Sequence, residues 1–345
     1  MVNVRVLVVL QMLIVCNTFG AVRRPLRTNL REGSSCDTPQ VIGGKCLNEN
    51  LCDPEFVHSI SYTEHTPVCQ QNAFYKVICC QPFLDFCQNI KHFQILHGSE
   101  AEPGQFPHLA RLGLRNDEDE IGWTCSANII TQRFLLTAAH CKPADIAGVD
   151  CAETTQCEQL RGVKNFISHS KYKKSLKYHD IALVELDQDV KFNKRVLPIC
   201  PYNSTDDVPA MEDMTIAGWG ATQSHFQSPQ LMYATVRTVS QKKCRDQYAI
   251  LLKELPNAKL GQGIIDEQYC VRGALVENVS EYIDACTGDS GGPLQVEQNS
   301  NIYLVGIVSA GIGCGSDSPG LYTRVAAYFD WIKETIGKRQ TAQPT

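Results

Sequence analysis

The sequence predicts an all-β fold that ends in one helix and is preceded by a small module held together by disulfides. Three observations carry that expectation. Six cysteines crowd between Cys36 and Cys80, short β-branched and aliphatic runs alternate with Gly, Pro and polar turns from Ile95 onward, and the last apolar positions switch to helical spacing. At 345 residues and 43% hydrophobic content, the chain is long enough for one large core and a second, smaller one.

The N-terminus reads Met1 to Arg5, then an apolar run from Val6 to Val15, then Asn17-Thr18-Phe19-Gly20 with residues suited to a signal peptidase. Residues 1–20 are therefore expected to be a secretory signal. The apolar run is well short of the roughly 20 residues that span a bilayer, so no membrane segment is expected. Seventeen cysteines become sixteen, an even number, once Cys16 leaves with the signal, and this points to an oxidising, extracellular setting. A net charge of -5 with scattered Lys and Arg gives no footprint for nucleic acid. No pair of C-x-x-C spacings occurs with matching histidines, so neither metal nor cofactor is expected.

The module at residues 36–80 has the spacing C-x9-C-x5-C-x16-C-x9-C-C with few aliphatic runs between. A unit this small cannot bury enough apolar surface to fold without staples. Adjacent Cys79 and Cys80 do not readily bridge each other, so each should reach back to a separate partner. Residues 81–94 read as a linker, and residues 95–345 as the large domain. Its strand candidates are Ile129-Ile130, Phe134–Leu136, Ile181–Leu186, Met214–Trp219, Ala234–Val239, Ile302–Val308 and Leu321–Val325. This texture suits a sandwich or barrel. Tyr328, Trp331, Ile332 and Ile336 then recur at helical spacing over Ala327–Ile336.

Three motifs in the large domain carry chemistry. Thr137-Ala138-Ala139-His140-Cys141 follows a strand candidate, His179-Asp180-Ile181-Ala182-Leu183 opens another, and Thr287-Gly288-Asp289-Ser290-Gly291-Gly292-Pro293 forms a Gly-rich turn. A hydroxyl that attacks a peptide bond at neutral pH needs a base, an acid to orient that base, and donors for the oxyanion. His140, Asp180 and Ser290 supply the first parts, in that chain order.

These motifs resemble the chymotrypsin-trypsin family, and the C-terminal part from Ile95 is similar to its catalytic domain. The resemblance implies a double β-barrel, with Ser290 as nucleophile, His140 as general base and then acid, and Asp180 as the residue that fixes the imidazole tautomer. It implies an oxyanion hole from the N–H groups of Gly288 and Ser290. It places Asp284 at the base of a pocket for Arg or Lys, with Ser309, Gly311 and Gly320 as its substrate-binding neighbours. The cysteine module resembles the clip domain of arthropod serine proteases, of the snake-like group C type. That resemblance implies the pairs Cys36–Cys79, Cys46–Cys69 and Cys52–Cys80. The family as a whole implies Cys125–Cys141, Cys151–Cys157, Cys244–Cys270 and Cys286–Cys314, with Cys87–Cys200 tethering the two parts.

Ile95-Leu96-His97-Gly98 resembles the start of a mature chain in this family, so a cut after Gln94 would free an α-amino group on Ile95 to pair with Asp289. Gln94 departs from the usual Arg or Lys, which disfavours self-activation and calls for a different upstream protease. Ala310 stands where the family usually carries Trp, which should widen the subsite before the scissile bond. The stretch Val271 to Ile283 is long and holds the sequon Asn278-Val279-Ser280, and a second sequon begins at Asn203. The expected partners are a downstream clip-protease zymogen as substrate, an upstream activator and a serpin-type inhibitor. The expected role is an immune, melanisation or patterning cascade in haemolymph. The alternatives are a digestive or venom trypsin, or a non-catalytic clip homologue, which would require a lost triad residue; all three are present.

Overall fold

The computed structural model describes residues 34–36, 44–48, 68–71, 76–80, 99–115, 118, 120–142, 148–151, 159–193, 195–204, 212–221, 227–255, 257–277, 280–298 and 301–341. Near the N-terminus, four short strands pair antiparallel in the order Ser35–Cys36, Gly44–Asn48, Lys76–Cys80, Val68–Gln71. Disulfides Cys36–Cys79 and Cys46–Cys69 cross this small sheet. Its core is Cys36, Cys46, Cys69, Cys79 and Val77, so sulfur does the filling that aliphatic side chains do elsewhere.

Two larger sheets follow, each barrel-like. The first orders Leu160–Arg161, Gly148–Cys151, Leu109–Arg115, Ile121–Ile129, Phe134–Thr137, Ala182–Leu186 and Val163–Ser168. Phe134–Thr137 and Ala182–Leu186 are buried along their whole length, which explains why both read in sequence as largely apolar runs. In the second sheet Asn301–Ala310, Pro293–Gln298, Met214–Gly218, Met232–Val239, Gln268–Gly273 and Gly320–Arg324 pair in that order. The last then pairs back to the first through Gly306↔Arg324 and Val308↔Tyr322, closing a six-stranded barrel without free edges. Disulfides Cys125–Cys141, Cys244–Cys270 and Cys286–Cys314 staple this region, and Cys200 is also disulfide-bonded. Cys52, Cys87 and Cys157, and with them the remaining expected pairs, lie outside the described residues.

The fold is thus all-β with a C-terminal helix, as the sequence implied, and among the described residues there is one further helix that the sequence did not reveal. Helix α1, Gln241–Glu254, buries only Cys244 and Tyr248. Two apolar positions one turn apart are too few to produce a readable stripe. Its N-terminus is marked by Ser240, whose hydroxyl accepts from the Lys243 N–H at 3.5 Å. Helix α2, Phe329–Thr341, starts after a 3-10 turn at Val325–Tyr328 and runs further than the expected Ala327–Ile336. Ile332, fully buried, and Ile336 join one core cluster with Leu183 and Leu186 of the first sheet and Leu304 and Ile307 of the second. The end of the chain, which follows a strand of the second barrel, therefore belongs to a core that both sheets share. Among the described residues no helix is long and apolar enough to cross a membrane.

Ile332→Ala leaves a cavity at this seam. We expect it to cost about 2–5 kcal/mol, read as a lowered urea midpoint at unchanged slope.

Candidate active site

Asp180 precedes strand Ala182–Leu186 of the first sheet and is 2% exposed. His179 before it takes a left-handed φ of 53° and is held there by a 2.9 Å hydrogen bond between its Nδ1 and the Tyr328 hydroxyl. His140 sits in the 3-10 turn Ala139–Cys141, which leaves strand Phe134–Thr137. Its Nδ1 lies 2.7 Å from Asp180 Oδ2, and its backbone N–H donates to Asp180 Oδ1 at 2.9 Å. From the second barrel the Ser309 hydroxyl donates to Asp180 Oδ2 at 2.5 Å, and the Thr323 hydroxyl donates to the Asp180 carbonyl at 2.8 Å. Burial on its own would raise this carboxyl. The donors from His140 and Ser309 outweigh burial and leave the pKa below the usual carboxylate value. An ionised Asp180 against Nδ1 selects the tautomer whose Nε2 is free to accept a proton.

Ser290 occupies a tight turn in the second barrel. The Asp289 N–H donates to the Cys286 carbonyl at 3.0 Å, and the Gly292 N–H to the Asp289 carbonyl at 2.8 Å. The Ser290 carbonyl accepts from the Ser126 N–H at 2.7 Å and lies 3.7 Å from Cys141 Sγ. The Ser290 turn thus reaches the chain at Cys141, the residue after His140. Two glycines in this turn have left-handed φ, 100° at Gly288 and 81° at Gly291, and a Cβ on Gly291 would overlap the Ser126 carbonyl and the Thr137 hydroxyl.

Two acids flank this turn. Asp289 accepts from the Gly220 N–H at 2.7 Å and the Cys286 N–H at 2.9 Å. A Cβ on Gly218 or Gly220 would overlap its carboxylate, so the glycines make room for it. Burial pushes its pKa up to about 6 against those two hydrogen bonds. Asp284 is likewise pushed up to about 6, first by burial and then by the Asp289 charge, while N–H donors from Ala285 and Gly315 and the charge of Arg272 oppose the rise. A Cβ on Gly320 would stand 2.9 Å from Asp284 Oδ1, whereas one on Gly311 would meet nothing within 4 Å. Gly320 thus lets the chain close over the acid, and Gly311 faces open space. The groups of three potential ligands in the described residues, Cys36-Cys46-Cys69 and Cys125-His140-Cys141, are built on cysteines already in disulfides, so they offer no metal a set of thiolates.

Residues 95–332 match the family model described as Trypsin. The chain is 71% identical to "CLIP domain-containing serine protease C9" of Anopheles gambiae, over 97% of this chain and 94% of that protein. It belongs to the clip-domain serine proteases of the trypsin family. More distant similarity extends to "Phenoloxidase-activating factor 3" of Holotrichia diomphalia, 30% identical over 89% of this chain and 95% of the relative. "Serine protease snk" of Drosophila melanogaster is 34% identical over 71% of this chain and 57% of the relative.

Within this clip protease, His140 and Asp180 meet through two hydrogen bonds, and the Ser290 carbonyl reaches Ser126 and Cys141, the residue after His140. Asp284 and Asp289 lie on the stretch of chain leading into Ser290. Gln94, Ile95 and Asn278 fall outside the described residues; Asn203 is described, in a stretch without regular structure. The side chain of Ser309, one of the expected substrate-binding residues, is committed to Asp180. Thr323 was missed. Its partner lies 143 residues away in sequence, and no local motif marks it.

Removing the Ser309 hydroxyl takes one donor from a buried carboxylate. Ser309→Ala should lower stability at pH 7 by about 1.5–3 kcal/mol in urea denaturation. A carboxyl with a depressed folded pKa stabilises above its unfolded value, near 3.9, and that stability is lost as pH falls through the folded pKa. The difference between variant and native should therefore shrink below about pH 4.

Proposed function

We propose that this clip protease is a secreted zymogen of a trypsin-like endopeptidase that cleaves after Arg or Lys and activates another protease precursor in an extracellular cascade. The observation that carries the reading is the assembly of Asp180, His140 and the Ser290 turn beside a half-buried Asp284. A carboxylate in such a pocket, closed by Gly320 and open at Gly311, favours a long cationic side chain, because its charge otherwise stays unpaired.

In the proposed reaction the scissile carbonyl is attacked by Ser290 Oγ as His140 Nε2 takes the hydroxyl proton. The imidazolium that forms is stabilised by Asp180. The oxyanion is held by the N–H groups of Gly288 and Ser290, and the left-handed φ of Gly288 supports that orientation. His140 then protonates the leaving amine, and water releases the acyl group by the same steps in reverse.

A cut after Gln94 would deliver the Ile95 ammonium to Asp289. Two backbone donors leave this enclosed acid at about 6, so a cation there would favour its ionised form. Cys200 is disulfide-bonded, and we assign Cys87 as its partner, so that the clip module stays attached after the cut. The relative named as a phenoloxidase-activating factor supports a cascade setting with a zymogen substrate, and we propose a serpin-type inhibitor alongside it. The apolar leader at Val6–Val15 and the disulfides support secretion.

Native and Gln94→Arg precursors treated with trypsin and assayed on Arg, Lys and Phe amides test the reading. We expect only the cut Gln94→Arg form, starting at Ile95, to hydrolyse the Arg and Lys amides, and Ser290→Ala in that background to lose the activity. An inactive product with a verified Ile95 terminus would overturn it.

A further inference from the structure

We infer that Arg272 is a positioning residue of the specificity pocket: its guanidinium clamps together the two chain segments that carry Asp284 and Gly320. The inference rests on reading Asp284 as that acid. Arg272 lies on strand Gln268–Gly273, and its side chain is only 17% exposed. Its guanidinium carbon stands 4.8 Å over the ring of Tyr282, two residues before Asp284. Nη1 is 3.3 Å from Asp317 Oδ1, and Nη2 donates to the Asp317 carbonyl, three residues before Gly320. The segments are also joined directly, because the Tyr282 N–H donates to the Gly315 carbonyl at 2.9 Å and the Gly315 N–H donates to Asp284. One planar cation thus stacks on the segment ahead of the acid and forks onto the loop that becomes the opposite wall. Lysine cannot do both, since its ammonium has neither the plane nor the fork.

The charges around Asp284 make the cation matter for binding as well as for shape. The Asp289 carboxylate, on the nucleophile turn, works against ionisation of Asp284. Tyr248 from α1 and Tyr322 from strand Gly320–Arg324 interact with Asp284 and are held neutral by burial. Arg272 opposes Asp289. Without it, the acid would protonate at higher pH, and a neutral acid does not hold an Arg or Lys side chain by charge.

The test uses the Gln94→Arg precursor, cut to begin at Ile95, as parent, with Arg272→Met, Arg272→Lys and Asp317→Asn made in it. KM and kcat for Arg amides and the affinity for benzamidine are followed from pH 6 to 8. Arg272→Met should raise KM about tenfold at pH 8 with kcat near the parent, and the ratio to the parent should widen toward pH 6. Arg272→Lys should recover the parent pH profile but only part of the KM. Asp317→Asn changes a side chain that is 81% exposed, and should raise KM about threefold with the pH profile unchanged. If the parent cleaves after Arg while Arg272→Met keeps the parent KM and pH profile, the inference fails and the Asp284 reading stands. If Arg272→Met does not fold, an unchanged KM in Arg272→Lys refutes the clamp, since lysine can neither stack nor fork in this way. A parent inactive on Arg and Lys amides refutes the pocket reading and this inference with it.

Discussion

The carboxylate of Asp180 is the joint on which the site turns. It belongs to the first sheet, takes two donors from His140 on a neighbouring loop of that sheet, and takes a third from Ser309 in the second barrel. Its own carbonyl is held by Thr323, also in the second barrel. An ionised carboxylate at 2% exposure is tolerable only when its lone pairs are met, so the two barrels must be in register for the acid to be buried at all. The seating of α2 in a core that both sheets share enforces that register with apolar contacts. Packing and electrostatics here impose the same constraint.

The second centre of the molecule is a pair of acids on one short segment, Asp284 and Asp289, each pushed up to about 6 by burial. They also act on one another, since the charge of Asp289 raises Asp284. Glycines at 218, 220 and 320 provide the room both need. Between the two acids, Cys286 ties the segment to the loop of the opposite pocket wall through its disulfide with Cys314. In the proposed activation, an ammonium brought to Asp289 would relieve the repulsion as it orders the turn that holds Ser290, so the forming of the oxyanion hole and the charging of the pocket would be coupled.

Much of this was legible in the sequence, for identifiable reasons. His140, Asp180 and Ser290 each sit in a compact local motif, because strand ends and tight glycine turns constrain several consecutive residues at once. Strands such as Phe134–Thr137 and Ala182–Leu186 were readable because burial on both faces makes them largely apolar. Helix α1 was not, because it buries only Cys244 and Tyr248 while Ile250 stands exposed, so its apolar positions do not line up as one stripe. Thr323 and Arg272 were also hidden. Their roles depend on partners that only the closed barrel and its loops bring near, and a lone threonine or arginine on a strand carries no spacing to read.

In the proposed mechanism Asp180, held by donors from both barrels, sets the tautomer of His140 that activates Ser290. The most direct measurement is the rate at which a fluorophosphonate labels Ser290 in the Ile95-starting protein, compared with the same protein carrying Asp180→Asn. Labelling should map to Ser290 by peptide mass spectrometry and slow by about four orders of magnitude in the variant at neutral pH. Equal rates, or labelling at another residue, would contradict the account.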